Sequence, residues 1–323
     1  MQAKLIPDSQ SASQIGGAKA LGHIPHVSVP RLSRLRQERL IFLTALSTPF
    51  LGFLMALALT IYSGVTWVEI GLLVGMFLMT VLGIEVGYHR LFSHHAFQTV
   101  MPIRVLLAIA GAMALQGPVV YWVSNHRRHH VYSDQAQDPH SPHCSDSDGR
   151  LEGFWHAHIG WIFSPERTCA GRYGRDLLND PVIMRIDKLY FFWIILGLVL
   201  PAALGGALSA SWFGIFKGFL WGGLGRIFLV QQGTYSINSL CHLLGSRPFS
   251  THDKSCNNLW LTVPTLGGAL HNNHHAFPTA AINTLEWWQI DPGGWFIRSI
   301  EGLGLAWNVK RPTAQMVEAK RKP

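Results

Sequence analysis

The chain has 323 residues, 48% of them hydrophobic and only 14% charged, with a mean hydropathy of +0.20 and a formal net charge of +8. About a quarter of a soluble globular chain is Asp, Glu, Lys and Arg, so disorder, a secreted disulfide scaffold and an ordinary water-soluble enzyme are all poor fits: there is too little polar surface for so much apolar chain. The composition is that of a membrane protein, with one anomaly: 17 histidines stand against 18 carboxylates.

The first 38 residues are polar, rich in Ser, Gly and Pro, and lack the short apolar run of a cleavable signal peptide. From Leu40 to Val68, 29 residues carry no formal charge, more than the roughly 20 a helix needs to cross the hydrocarbon, and Pro49 is a candidate kink. A second span starts near Trp67 and runs through Ile70–Ile84 to Glu85 and His89. Ile103–Val120 is apolar apart from Arg104, but as a crossing it would put the histidines on its two sides in different compartments. It is therefore read as interfacial or part of the extramembrane domain. The second apolar half opens at Leu189 and predicts helices over 189–208 and 213–236, with Lys217 snorkelling toward the nearer interface and Arg226 facing the bundle interior without an evident partner. Arg31, Arg34, Arg36 and Arg39 precede the first span, whereas the turns between paired spans hold no Lys or Arg. This places both termini and the 88–188 segment in the cytoplasm. The expectation is an all-α, multi-pass protein with four transmembrane helices and a cytoplasmic histidine-rich domain, divided into a polar segment 1–38, a membrane domain 39–310 and a basic tail 311–323. The basic residues flank apolar segments instead of interleaving with aromatics, so nucleic acid is not expected as a partner. Cys144, Cys169, Cys241 and Cys256 show no paired spacing and read as reduced thiols.

The histidines fall into three clusters: His89-Arg-Leu-Phe-Ser-His94-His95, His126-Arg-Arg-His129-His130 and His271-Asn-Asn-His274-His275. The later two share the form HxxHH, which on a helix sets positions i, i+3 and i+4 on one face. The first is HxxxxH, and residues five apart are not neighbours on a regular helix, so the chain is expected to leave helical geometry between His89 and His94. Isolated His23, His26 and His252 read as packed or interfacial residues. Clustered imidazoles without nearby carboxylates repel one another when protonated and are most simply kept neutral by a metal. Imidazole-rich sites suit Fe, Cu, Zn or Ni. A single catalytic zinc takes about three protein ligands, so eight or nine histidines imply two ions. The Glu plus Glu-x-x-His pattern of soluble di-iron bundles is absent.

HxxxxH, HxxHH and HxxHH in this order, with two spans before the first cluster and two between the second and third, resemble the membrane fatty-acyl desaturases, in particular the delta-9 (stearoyl-type) group. The resemblance extends over residues 40–310. It includes Gly87-Tyr-His-Arg-Leu, Trp122-Val-Ser-Asn-His-Arg-Arg-His-His, Asp138-Pro-His140, His158-Ile-Gly-Trp161, Asn238-Ser-Leu-Cys-His242 and Gly304-Leu-Ala-Trp-Asn-Val-Lys310, the last resembling bacterial and cyanobacterial members. The resemblance implies two irons, O₂ as co-substrate and nine ligands. His89, His94, His126, His130 and His274 would hold one iron, and His129, His242, His271 and His275 the other. It also implies a metal-bound water at Asn238 and a tunnel wall at Trp122, for which a plain core role is the alternative. His242 lies one helical turn after Asn238, at the end of the fourth span and on the same side as the clusters.

Glu85, one turn before His89, is a candidate to orient that imidazole, with an ion pair to Arg90 as the alternative; Asp138 is a candidate of the same kind. His95, His140, His143, His156 and His158 are expected near the site without binding metal. Where the family often has Gly-Glu-Gly-Trp before the last cluster, this chain has Gly267-Gly-Ala-Leu270, and an acidic run occupies Cys144–Asp148. Acidic residues repel a polyphosphate headgroup, which favours a lipid-linked or acyl-carrier-protein substrate over a CoA thioester. Asp291-Pro-Gly-Gly294 lacks the histidine of a fused cytochrome b5, so a separate ferredoxin or cytochrome b5 is the expected electron donor. The resemblance thus implies an O₂-dependent desaturase, most simply of delta-9 type, in a bacterial inner membrane. A membrane di-iron hydroxylase acting on an alkyl, sterol or carotenoid substrate is the rival, and a metal transporter is disfavoured because its ligands belong at the bilayer midplane.

Overall fold

Four helices carry the long apolar stretches: Leu32–Ser63, Trp67–Ser93, Tyr190–Ser209 and Trp212–His242, each long and apolar enough to cross a membrane. The computed structural model describes residues 27–143 and 150–322, so His23, His26 and the acidic run 144–148 lie outside the described residues. The chain is mostly helical. Its strands are two antiparallel pairs of two residues each, Val27–Ser28 with Arg167–Thr168 and Gln98–Thr99 with Ala306–Trp307, among the described residues.

The first span continues unbroken through Pro49. At 32 residues it is about 48 Å long, longer than the hydrocarbon is thick, so its Arg34–Glu38 turn lies beyond the apolar stretch. Most of its surface faces outward, and it buries small residues: Pro49, Gly52 and Ala56. A side chain at Gly52 would overlap Leu224 of the fourth span, so the close approach requires glycine.

At the far end from the histidines, Thr66 caps the second span and its backbone and hydroxyl both bond Glu69 at 2.5 Å. Glu69 also lies 3.2 Å from Lys217, whose Nζ donates to the Gly64 carbonyl at 3.1 Å. Lys217 therefore does not snorkel. It is buried and ties the fourth span to the first turn, because a paired ammonium in apolar surroundings is held where its carboxylate is. Arg226 faces the interior as expected, and its partners are carbonyls: Met113 at 2.6 Å, Gly197 at 2.7 Å and Gly222 at 3.2 Å. Met113 ends the helix Met101–Ala112, so the guanidinium meets the negative end of a helix dipole. That helix has 12 residues, about 18 Å, and is too short to cross.

Beyond Gly83 the second span widens into a π-helix over Gly83–Ser93, and the His94 amide donates to the His89 carbonyl at 3.2 Å. The expectation that the chain leaves helical geometry here is corrected: it leaves α geometry only. Hydrogen bonds from i to i+5 place residues five apart one above the other, and the His89 and His94 rings sit 5.0 Å apart. Every residue of this segment is buried. Its Arg90 bonds Glu85, Asp291 and the carbonyls of Leu266 and Ala281, all within 3.2 Å, which fastens the first histidine cluster to the loop carrying the last. The basic C-terminal segment is not a loose tail: Ala314–Lys320 is helical, and Lys320 and Arg321 bond the Ala276 carbonyl and Glu286.

A Cβ at Gly83 would overlap the Gly111 backbone of the helix Met101–Ala112. Gly83→Ala is expected to lower stability by about 1–3 kcal/mol through overpacking and to reduce metal content with it; thermal unfolding in detergent and metal analysis check this. Unchanged melting and metal content would show that the π segment is not held by this contact.

Candidate metal centre

The two HxxHH clusters lie on the helices Val119–Tyr132 and His271–Ala276. Each distributes its imidazoles between two groups. His126 and His130, one turn apart, join His89, His94 and His274; His271 and His275, again one turn apart, join His129 and His242. The ligand-capable atoms within each group lie within 4.8 Å of one another. The five and the four are the same sets that the family resemblance implies for its two metals. An HxxHH face thus serves two neighbouring centres, i and i+4 turning to one and i+3 to the other.

In the group of five, Nε2 atoms stand 2.8 Å apart for His94 and His126, 2.9 Å for His130 and His274, and 3.0 Å for His89 and His274. In the group of four the spacings are 2.9 Å for His242 and His271 and 3.4 Å for His129 and His275. Metal–imidazole bonds of about 2.0–2.1 Å at near right angles put neighbouring nitrogens about 3 Å apart, so the arrangement fits two ions. Burial, reinforced by the neighbouring imidazoles, holds His94, His126, His130, His271 and His274 well below the ordinary imidazole pKa. Burial likewise brings His275 down to about 4, against the pull of Asp253. Burial opposes charge on His129 too, but Asp138, together with Asp134 and Asp253, outweighs it and raises that pKa. Mostly neutral rings with converging lone pairs repel one another unless a cation lies between them.

Carboxylates choose the tautomer. His129 Nδ1 lies 2.8 Å from Asp138, His242 Nδ1 3.0 Å from Asp134 and His275 Nδ1 2.8 Å from Asp253. A proton held on Nδ1 leaves the Nε2 lone pair aimed into the group. Asp138 is a residue the sequence singles out; Asp134 and Asp253 are not, and the supposed lack of carboxylates beside the clusters is corrected. Nothing in their spacing marks them. Asp134 sits at positive φ just past a helix end, and Asp253 lies in a loop. Glu85 makes the ion pair considered for it, Oε1 accepting from Arg90 at 3.0 Å; its Oε2 lies 3.1 Å from His89 Nδ1 but off the line of a hydrogen bond.

An elongated cavity of about 570 Å³ reaches the group of five, with Trp122, His126, His140 and Asn238 on its inner wall. This is the usual size of a ligand site. Trp122 stacks on His126 with ring centroids 5.0 Å apart and donates to Gln116 Oε1 at 3.4 Å; Gln116 donates in turn to Thr234 at 3.0 Å. Asn238 and Trp122 also border a small void beside Glu85, His89, His129 and His271. Of the histidines expected nearby, His140 stacks on His129 at 4.5 Å, His143 bonds the His242 carbonyl at 2.8 Å, and His158 bonds Ser239 and Gln232. His95 is exposed and faces Asp176 and Arg127.

Residues 64–293 match the family described as Fatty acid desaturase. The chain belongs to the fatty acid desaturase family. This desaturase is 47% identical over 277 residues to a hex-5-enoyl-[acyl-carrier protein] acetylenase of Moorena producens (strain JHB), covering 84% of this chain and 86% of that one. It is 38% identical over 265 residues to an sn-1 stearoyl-lipid 9-desaturase of Anabaena variabilis (81% and 91%), and 35% identical over 277 residues to delta-9 acyl-lipid desaturase 1 of Arabidopsis thaliana (85% of each). It is thus a fatty acyl desaturase, an oxidoreductase, whose histidine groups could hold metal.

The departure before the last histidine cluster has a steric reason. A side chain at Gly268 would start 2.8 Å from Glu85 Oε2, and Gly267, at φ +92°, lies against Asp291. The space is filled from the second span and by Asp291, which also caps the helix Pro292–Gly302 and so accounts for the Asp-Pro-Gly-Gly sequence.

Asp134→Asn and Asp253→Asn are each expected to weaken metal retention about 10- to 100-fold, measured by chelator competition with metal analysis. Retention at the unaltered level in both would show that the carboxylates do not set the tautomers.

Proposed function

We propose that this desaturase uses two irons, O₂ and two electrons from a separate ferredoxin or cytochrome b5 to place a cis double bond at delta-9 of a saturated acyl chain. The balance is –CH₂–CH₂– + O₂ + 2e⁻ + 2H⁺ → –CH=CH– + 2H₂O. The observation that carries the reading is the pair of imidazole groups, three tautomers set by aspartate, at the inner end of an elongated cavity. His89, His94, His126, His130 and His274 would hold one iron and His129, His242, His271 and His275 the other, and Asn238 would hold a water beside them. Bound there, the irons supply the oxidant that an unactivated methylene requires and that no side chain can provide.

The chain's own residues position the substrate. Trp122 packs on the inner wall and holds Gln116, and Gln116 holds Thr234. This linked trio fixes where an acyl chain turns beside the metals, so it sets which carbons are reached. Asp134, Asp138 and Asp253 keep Nε2 lone pairs on the metals, and burial of the whole centre limits water. A lipid-linked or carrier-protein-linked chain is the substrate class favoured over a CoA thioester. The histidine centre and both termini lie on the cytoplasmic face of a bacterial inner membrane, with residues 39–310 as the working domain.

The acetylenase relative supports a second reading, in which the acyl chain already holds a double bond and the same removal of two hydrogens makes a triple bond. Expression in a host and mass spectrometry of its acyl chains, with saturated and monoenoic chains supplied, separates the two: new delta-9 monoenes are expected, and alkynes alone would favour the second. Hydroxylated products without either would overturn the desaturation chemistry for this chain. His129→Ala is expected to lower product formation more than about 100-fold and to lose iron; full activity in that variant would undo the ligand assignment.

A further inference from the structure

The cavity is walled by two helix faces. Arg34, Glu38, Ile41 and Ala45, at helical spacing, come from the first span, and Gln231 and Asn238 from the fourth. The four residues of the first span cover about 16 Å. Gln231 Nε2 donates to the Ala45 carbonyl at 3.2 Å, joining the two faces at the floor of the cavity. The first span packs on the fourth, and the third packs on the second and the fourth, but among the described residues no comparable packing joins the first and third. Between them the cavity meets the outer surface, where its lining residues Ile41 and Phe191 are 53% and 67% exposed.

One turn before Ile41 and Phe42 the lining becomes polar. Glu38 accepts from Arg167 at 2.7 and 2.9 Å and from Arg34 at 2.9 Å, and the Arg167 guanidinium lies 5.7 Å from the Phe42 ring centre. The opening is therefore an apolar slot with a basic rim, and the slot is cut into the side of helices that contact lipid. Ile41 and Phe191 would form an exposed apolar patch in water; against lipid tails they are at ease. The rim stands just outside the apolar stretch of the first span, at headgroup depth; Arg167 spends its donors on Glu38 and on the Ser164 and Glu166 carbonyls, so the exposed Arg34 guanidinium is the group left to meet phosphate and ester oxygens.

We propose that this slot is a lateral portal, through which an acyl chain still attached to a membrane glycerophospholipid passes from the bilayer to the metal centre while its headgroup stays at the Arg34–Glu38–Arg167 rim. The proposal deepens the desaturase reading and rests on it. A chain delivered by a soluble carrier would instead come from the aqueous face and would not cross the lipid-facing surface.

The test compares two carriers, stearoyl phosphatidylcholine in nanodiscs and stearoyl-[acyl-carrier protein] added to the detergent-solubilised enzyme, each with reduced ferredoxin and O₂. Monoene is the readout. The wild-type protein is expected to convert the lipid-bound chains, and Ile41→Trp, which fills the slot, to lower that conversion about tenfold or more. Ile61→Trp, likewise exposed on the first span but away from the slot, is expected to retain it. Metal content and melting temperature, expected to be unchanged in both variants, show that a loss is not misfolding; Phe191→Trp repeats the test from the third span. Conversion of the carrier-protein substrate but not the lipid would overturn the portal and leave the desaturase reading standing. Full lipid conversion by both tryptophan variants, or an equal loss on the two carriers, would also overturn it. No product from either carrier would sink the reading of a delta-9 desaturase of saturated chains together with the portal.

Discussion

Nine imidazoles gathered into two buried groups, the ligand-capable nitrogens of each within 4.8 Å of one another, are the constraint on which the rest of the molecule depends. Three of the rings have their tautomer set by Asp134, Asp138 and Asp253, so their Nε2 atoms face one another as lone pairs. Such an arrangement is stable only around cations. The π turn over Gly83–Ser93 follows from the same need: an α-helix would turn His94 away from His89, whereas the wider turn aligns them. The division of each HxxHH between the two groups follows as well, because two centres this close can share a helix only if its adjacent faces serve both.

Buried charge elsewhere is handled by the same rule, that a charge leaves water only with partners. Arg90 sits between Glu85 and Asp291 and reaches two carbonyls besides. It thereby joins three segments far apart in sequence, one of them next to the first histidine cluster and another next to the last. Arg226 has no carboxylate among the described residues and relies on three carbonyls, one at a helix end where the dipole helps. Lys217 and Glu69 close the opposite end of the bundle. These contacts hold the helices that present the histidines, so the geometry of the metal groups is set well beyond the ligands themselves.

The spans and the histidine clusters were legible in the sequence because each rests on a local signal: a long uncharged run, or a spacing that one helical turn makes meaningful. What was not legible depends on contacts between distant segments. Asp134 and Asp253 reach their histidines 108 and 22 residues away, and neither stands in a periodic pattern. Lys217 looked like a residue able to reach the interface because its partner Glu69 lies in another span. The π-helix was visible only as a conflict, two histidines five apart where helices favour three and four. Glycine at 267 and 268 looked like a loss of functional side chains until Glu85 and Asp291 were found against them. Apart from the π turn, what was missing in each case was a tertiary partner, which no short window along the chain contains.

The two sides of the cavity differ in what they can do. Its inner wall belongs to the buried, cross-linked part of the fold: Trp122 on His126 and Gln116 on Thr234. Its outer wall is the first span, most of whose apolar stretch faces outward and whose hold on the bundle comes largely from small residues and one ion-paired turn. Local stability follows buried contact, so the wall that, under the proposed reading, would place carbons against the metals is the rigid one. The wall past which a long flexible chain must travel is the looser one. Under the proposed reading, selectivity and admission fall to different helices, so a change on the first span would alter which carrier is accepted without moving a histidine of either group.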